Sequence, residues 1–129
     1  MPEDSGAIVI VEDDDGSRRA YERVLNAAGF RAQAFASAET LLDGDAAGHA
    51  ACLVLDIRLP GLSGFELRRE LVRTGTAQAP VIFITAHDEP AARAQAEAFG
   101  AAAYLPKPFA GRALVEAVAR ALARKAIHD

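Results

Sequence analysis

The sequence predicts an α/β fold: a doubly wound, five-stranded parallel sheet of (βα)5 form with helices on both faces. Within 129 residues, short β-branched or aliphatic runs recur five times, each followed by a segment whose apolar positions have helical spacing. The first of them, Ala7 to Val11, is apolar on both faces instead of alternating, which suits a parallel strand covered on each side. With 51% hydrophobic and 25% charged residues, the chain has ordinary globular composition and is too apolar for disorder.

The elements follow in order. Ala7 to Val11 (Ala-Ile-Val-Ile-Val) is the first strand. From Gly16 to Ala28, the residues Ala20, Val24, Leu25 and Ala28 recur at helical spacing, and Gly29 supplies a C-terminal cap. Arg31 to Phe35 is a brief second strand. Ser37 to Asp43 is a short helix with Ser37 as N-cap, Thr40 at the capping-box distance, and Leu41 and Leu42 facing inward. Cys52 to Leu55 is the third strand. Ser63 to Val72 is a helix capped by Ser63, with Glu66 in the reciprocal position and Phe65, Leu67 and Leu71 available for the core. Pro80 to Ile84 is the fourth strand, and Pro90 to Phe99 an Ala-rich helix ended by Gly100. Ala101 to Leu105 is the fifth strand, before a final amphipathic helix, Phe109 to Arg124, with Leu114, Val115, Val118 and Leu122 on one side. No linker or low-complexity stretch interrupts the rhythm, so residues 1–129 are expected to form one domain with a core of about 7–124.

Composition excludes several classes. A net charge of −4 argues against a general grip on nucleic-acid phosphates. One cysteine, Cys52, cannot form an internal disulfide, and its place at the head of Cys52-Leu53-Val54-Leu55 makes it a buried strand residue. The start, Met1-Pro2-Glu3-Asp4-Ser5-Gly6, is acidic where a signal peptide is basic, and no apolar run approaches the roughly 18 residues of a membrane span. A soluble protein of a reducing cytoplasm is the expectation.

In open α/β sheets, ligands bind beyond the carboxyl ends of the strands, where strand order reverses. Glu12, Asp13, Asp14 and Asp15 follow the first strand, Asp56 and Arg58 the third, Thr85, His87 and Asp88 the fourth, and Lys107 the fifth. Converging carboxylates repel one another, and a divalent cation relieves the repulsion. Oxygen ligands without Cys or clustered His favour Mg2+, or Mn2+, over zinc. A carboxylate beside such an ion can attack phosphorus to form an aspartyl phosphate, with a lysine and a hydroxyl to bind the equatorial oxygens. Glu12 and Asp13, Asp56, Thr85 and Lys107 match those roles. Asp14 and Asp15 are read instead as helix N-terminal chemistry.

The segments Val11-Glu12-Asp13-Asp14, Val54-Leu55-Asp56-Ile57-Arg58-Leu59-Pro60, Ile84-Thr85-Ala86 and Tyr104-Leu105-Pro106-Lys107-Pro108-Phe109 resemble the receiver domains of bacterial two-component response regulators. The resemblance runs from Ala7 to about Arg124 and is nearest to the FixJ-type receivers. It implies a CheY-like, flavodoxin-like strand order of 2-1-3-4-5, with Asp56 as phosphoacceptor. It also implies Mg2+ held by Glu12, Asp13, Asp56 and the main-chain carbonyl of Arg58. Thr85 would bind a phosphoryl oxygen, Lys107 would pair with the phosphate ahead of a cis Lys107–Pro108 bond, and Tyr104 would be an aromatic switch moving with Thr85. Glu12 stands where aspartate is commoner. Arg58 and His87, each two residues beyond a site residue, are candidates for tuning phosphate lifetime by screening Asp56 from water.

The implied partners are a sensor histidine kinase or phosphotransfer protein, and a second copy through the face of the fourth helix, fifth strand and fifth helix. Arg93, Glu97, Arg112, Glu116 and Arg120 decorate that face. DNA would be reached only through an output domain, for which 129 residues leave no room. Such a domain is a self-phosphorylating and self-dephosphorylating signalling unit and not a metabolic enzyme. A haloacid-dehalogenase-type phosphatase wants an acid where Arg58 stands, and a nucleotide-binding enzyme wants a Gly-rich loop where Asp13-Asp14-Asp15 stands. The serious alternative is a phosphorylation-independent adaptor that keeps the fold.

Overall fold

The computed structural model describes residues 6–76 and 78–128, with side chains to 125. The acid-rich start, Met1 to Ser5, lies outside the described residues. Strands β1 (Ala7–Val11), β2 (Ala32–Phe35), β3 (Ala50–Asp56), β4 (Val81–Thr85) and β5 (Ala103–Pro106) form one parallel sheet in the order β2-β1-β3-β4-β5. The helices between them are α1 (Asp15–Ala27), α2 (Ala38–Leu42), α3 (Gly64–Arg73), α4 (Pro90–Ala98) and α5 (Gly111–His128). A 3-10 turn, Ala46–His49, leads into β3.

Period-two alternation along each strand divides the core in two. Val9 and Val11, Leu53 and Leu55, and Val81 and Phe83 point to one face, where Leu41 of α2, Phe65, Leu67 and Leu71 of α3, and Ala96 of α4 cover them. Ile8 and Ile10, Cys52 and Val54, and Ile82 and Ile84 point to the other, beneath Leu25 of α1 and Leu114, Ala117, Val118 and Ala121 of α5. The inner strands β1 and β4 are buried along their whole length, as their unbroken apolar runs require.

Local chemistry sets the helix ends. Asp14 accepts the Ser17 N–H at the start of α1, Ser37 accepts the Thr40 N–H before α2, and Ser63 and Glu66 form a reciprocal capping box at α3. Gly29 and Gly100, with φ of 98° and 70°, end α1 and α4 in the left-handed conformation that a side chain would oppose.

Several expectations need correction. Ala28 and Leu42 are exposed. Ala28 is the C-cap of α1, past the last residue that the helix turns inward, and α2 is so short that its one buried leucine is Leu41. The fifth strand begins at Ala103, because the Ala101 N–H bonds back to the Ala96 carbonyl and closes the end of α4. The last helix begins at Gly111; Phe109 precedes it and stacks on Tyr21, ring centroids 5.4 Å apart. Asp56 and Thr85 are the last residues of their strands instead of the first beyond them.

Candidate functional site

The strand order reverses between β1 and β3, and there the carboxyl edge gathers its acids. Register fixes who meets whom. Val11 pairs with Leu55, Leu55 with Phe83 and Phe83 with Tyr104; one step on, Asp56 pairs with Ile84 and Ile84 with Leu105. Alternation therefore turns Asp56 to the same side as Cys52 and Val54, under α1 and α5, and gives Thr85 and Tyr104 the parity of Phe83, toward the opposite face.

Glu12 and Asp56 are buried, at 1% and 4% exposure, and Asp13 is exposed at the mouth. One carboxylate oxygen from each of the three lies within 4.8 Å of the others. Lys107 Nζ donates to Glu12 Oε1 at 2.7 Å and to Asp56 Oδ2 at 2.8 Å, so one ammonium ties both buried acids. The second Asp56 oxygen accepts the Arg58 main-chain N–H at 2.9 Å, and the second Glu12 oxygen the Asp14 N–H at 3.1 Å. Every carboxylate oxygen of the buried pair thus has a donor, as burial demands. The Lys107–Pro108 bond is cis, as the resemblance implied.

Electrostatics follow this geometry. Burial pushes the Glu12 carboxyl up to about 7, against the pull of Lys107 and the Asp14 N–H, and Asp56 beside it adds like charge. Partial burial opposes charge on Lys107, but its hydrogen bonds to Asp56 and Glu12 prevail and hold the ammonium above its ordinary range. The set is short of positive charge: two buried carboxylates and a third at the rim face one lysine. Its donors are hard oxygens, at a separation a single small divalent cation can bridge, so the residues fit Mg2+ or Mn2+.

Of the remaining predicted residues, Arg58 reaches Asp56 through its main-chain N–H, and Thr85 and Tyr104 have other partners. Thr85 is buried, and its hydroxyl accepts the His87 N–H at 2.9 Å and faces the His87 carbonyl at 3.3 Å. The Arg58 and His87 side chains are exposed, and each meets the site through its main chain. The Tyr104 hydroxyl donates to Asp88 Oδ1 at 3.1 Å. Arg93 lies 4.5 Å over the Tyr104 ring and pairs with Asp88 at 3.2 Å, so this candidate cross-dimer residue is engaged within the chain. Glu116 and Arg120 likewise face each other one turn apart on α5, at 3.8 Å.

Two contributors escaped the sequence reading. Arg18 folds back over the β1–α1 turn, donates to the main-chain carbonyls of Glu12 at 3.0 Å and Asp13 at 3.4 Å, and pairs with Asp15. Its only sequence signal is its place one turn beyond the acidic run. The second is the role of Asp88, named at the end of the fourth strand but given no function; nothing local marks an acid in a polar loop as the partner of a tyrosine sixteen residues on.

Fold and site together define a doubly wound sheet with an acidic cluster and one lysine at its switch point, the architecture of a receiver domain. Residues 8–119 match the response regulator receiver domain family, and the chain belongs to it. It is 38% identical over 117 residues to nodulation protein W of Bradyrhizobium diazoefficiens, covering 91% of this chain and 51% of that protein. It is 36% identical over 126 residues to the transcriptional regulatory protein FixJ of Azorhizobium caulinodans, covering 98% of this chain and 59% of that one. Among solved structures, the response regulator StyR superposes with a TM-score of 0.84 at 35% identity, covering 96% of this chain and 62% of that chain. The BeF3-activated DrrB receiver domain superposes at 0.81 with 29% identity, covering 92% and 98%. The chain thus spans between about half and three-fifths of the length of these two curated relatives. The family is one of two-component signalling and not of metabolic enzymes. Among the described residues, no helix is long and apolar enough to cross a membrane.

Proposed function

We propose that residues 1–129 act as one receiver unit in which Asp56 is the phosphoacceptor, taking a phosphoryl group from a sensor histidine kinase or phosphotransfer protein in the cytoplasm. The observation that carries the assignment is Asp56 itself: a carboxylate 4% exposed at the switch point, bound by Lys107 and the Arg58 N–H. Asp56 Oδ attacks phosphorus as the donor's P–N bond breaks, and the electron pair leaves with the donor imidazole. Glu12, Asp13, Asp56 and the Arg58 carbonyl would hold Mg2+, which when bound neutralises charge on the transferring group. Lys107, already against Asp56, moves its hydrogen bond to a phosphoryl oxygen and keeps the product's charge matched.

Thr85 and Tyr104 complete the switch. In the structure the Thr85 hydroxyl is held by His87 and Tyr104 by Asp88. Transfer of the Thr85 hydroxyl to a phosphoryl oxygen vacates space on its own face of β4, and Tyr104, sharing that face, turns into it. The surface of α4, β5 and α5 is then remodelled, and this reading makes it the face for a second copy of the chain or for an output partner. Any contact with DNA belongs to an output domain.

The test is incubation with acetyl phosphate and Mg2+, followed by intact-mass measurement of wild type and Asp56→Asn. One phosphoryl adduct on wild type and none on the variant is expected. An unmodified wild type would favour the phosphorylation-independent adaptor, and an adduct on the variant would move the acceptor elsewhere.

A further inference from the structure

At the opposite end of the sheet, a cavity of about 290 Å³ opens where Ala79 and Pro80 lead into β4 and Gly100 and Ala102 lead toward β5. Five steps along the chain, about 16 Å of strand, lead from Pro80 at the cavity to Thr85 at the far end of β4. Its polar rim is cationic: Arg68 comes from α3, and Arg124 and Lys125 from the last turns of α5. Among the described residues, no acid lines it. In a chain of net charge −4 that is a local inversion of sign, and a concave cationic site focuses anions.

Arg68 sharpens the point. Its Nη1 is buried and has no hydrogen-bond partner. Guanidinium N–H groups are obligate donors, and a buried one left unpaired is an exception that calls for a reason. Burial draws the group below its ordinary range without discharging it, and the neighbour that bears on it electrostatically is Cys52. That thiol is itself pushed up to about 12 by burial, so it stays neutral and supplies no counter-charge. Arg68 thus keeps its positive charge at the lining of the cavity, with a buried donor that has no partner. A guanidinium fork is shaped for two oxygens of one carboxylate or phosphate, and the alanine and proline walls accept a small apolar body behind such a head group.

We propose that this cavity is a second ligand site, binding a small oxyanion, a phosphate or a carboxylate, on Arg68 with Arg124 and Lys125 around it. The site is independent of the phosphoacceptor: it uses none of the residues of the acidic cluster.

The experiment titrates the whole chain with inorganic phosphate and, separately, with acetate, following backbone amide resonances in wild type, Arg68→Gln, Arg124→Gln and Asp56→Asn. Saturable shifts at Ala79, Gly100 and Ala102 are expected with at least one of the anions. Arg68→Gln should weaken binding at least tenfold and the exposed Arg124→Gln several-fold, whereas Asp56→Asn should leave it unchanged. Saturation by phosphate alone assigns the site to phosphoryl ligands, and by both anions to oxyanions in general. No saturable shift with either anion, shifts confined to Glu12, Thr85 and Lys107, or binding that survives both arginine substitutions would overturn the proposal. Should Arg68→Gln fail to fold, the surface variant Arg124→Gln decides.

Discussion

Gly64, the first residue of α3, offers a substitution whose sign separates local propensity from tertiary contact. Its φ is not positive, so alanine would be unstrained there, and in an open helix the exchange stabilises by roughly 0.5–1 kcal/mol. Yet a Cβ at Gly64 would lie 2.4 Å from the main-chain carbonyl oxygen of Asp56 and 3.1 Å from Ile57 Cα. Both are backbone, and the first contact is about 1 Å short of van der Waals distance. Neither can yield alone, because the Gly64 N–H also bonds the Ile57 carbonyl at 2.9 Å. Overpacking costs about 1–3 kcal/mol, and a backbone-on-backbone contact of 2.4 Å lies in the upper part of that range; about 2–3 kcal/mol less about 1 kcal/mol of propensity leaves a net loss of about 1–2 kcal/mol. For a chain of 129 residues, each kcal/mol corresponds to about 4 °C in Tm, so calorimetry should show Gly64→Ala melting about 4–8 °C lower. The displaced atoms belong to Asp56, the proposed phosphoacceptor, and a shift of about 1 Å at a reacting group can cost up to about 100-fold in rate. Modification by acetyl phosphate should therefore slow by at least tenfold. Gly16→Ala is the control: it also sits in a first helical turn, but its nearest contact is Asp14 Oδ2 at an ordinary 3.6 Å. It should raise Tm by about 2–4 °C without touching the rate. A Gly64→Ala protein as stable and as fast as wild type would refute the reasoning.

Further outcomes follow from the site. Glu12 titrates near 7 in the fold and near 4.5 unfolded, so the folded chain retains a proton that the unfolded chain releases, and stability should fall as pH rises through that interval. A bound cation competes with the same proton; the Mg2+-induced rise in Tm should be larger above pH 7 than below it, and equal rises would contradict the burial argument. Asp88→Asn removes the anion that holds both Tyr104 and Arg93. Loss of about 1 kcal/mol from that resting contact shifts the switch about fivefold, and acetyl phosphate should modify the variant several-fold faster; an unchanged rate would show the contact to be idle. Arg58→Ala and His87→Ala remove the two exposed side chains flanking Asp56 and Thr85. Each should shorten the phosphorylated lifetime several-fold, and unchanged dephosphorylation rates would remove their proposed screening role.

Much of the architecture is legible without coordinates. Short aliphatic runs with no polar side to turn toward water admit little but a covered parallel strand, and Ala7–Val11, Val81–Thr85 and the core of Ala50–Asp56 fulfil that reading. The capping box of Ser63 and Glu66 and the left-handed Gly29 and Gly100 are local chemistry, so the chain announces them directly. Boundaries are hardest to read where alanine dominates. Ala101 and Ala102 fit strand or helix end equally, and only the Ala96 carbonyl, which captures the Ala101 N–H, decides.

By itself, the sequence determined the alternation of strands and helices, the identity of the acids, hydroxyl and lysine at the strand ends, and hence the kind of chemistry they could share. The tertiary structure alone decided which of them touch: Lys107 reaches Glu12 across 95 positions and Asp56 across 51, while Thr85 bonds to His87 and Tyr104 to Asp88. It alone also left Arg68 with an unpartnered donor at the lining of a cavity at the other end of the same sheet. The physical reason is range. Propensity, capping and hydrophobic period act over a few residues, whereas burial and hydrogen-bond partnership depend on strand order and register, which exist only once the sheet is assembled.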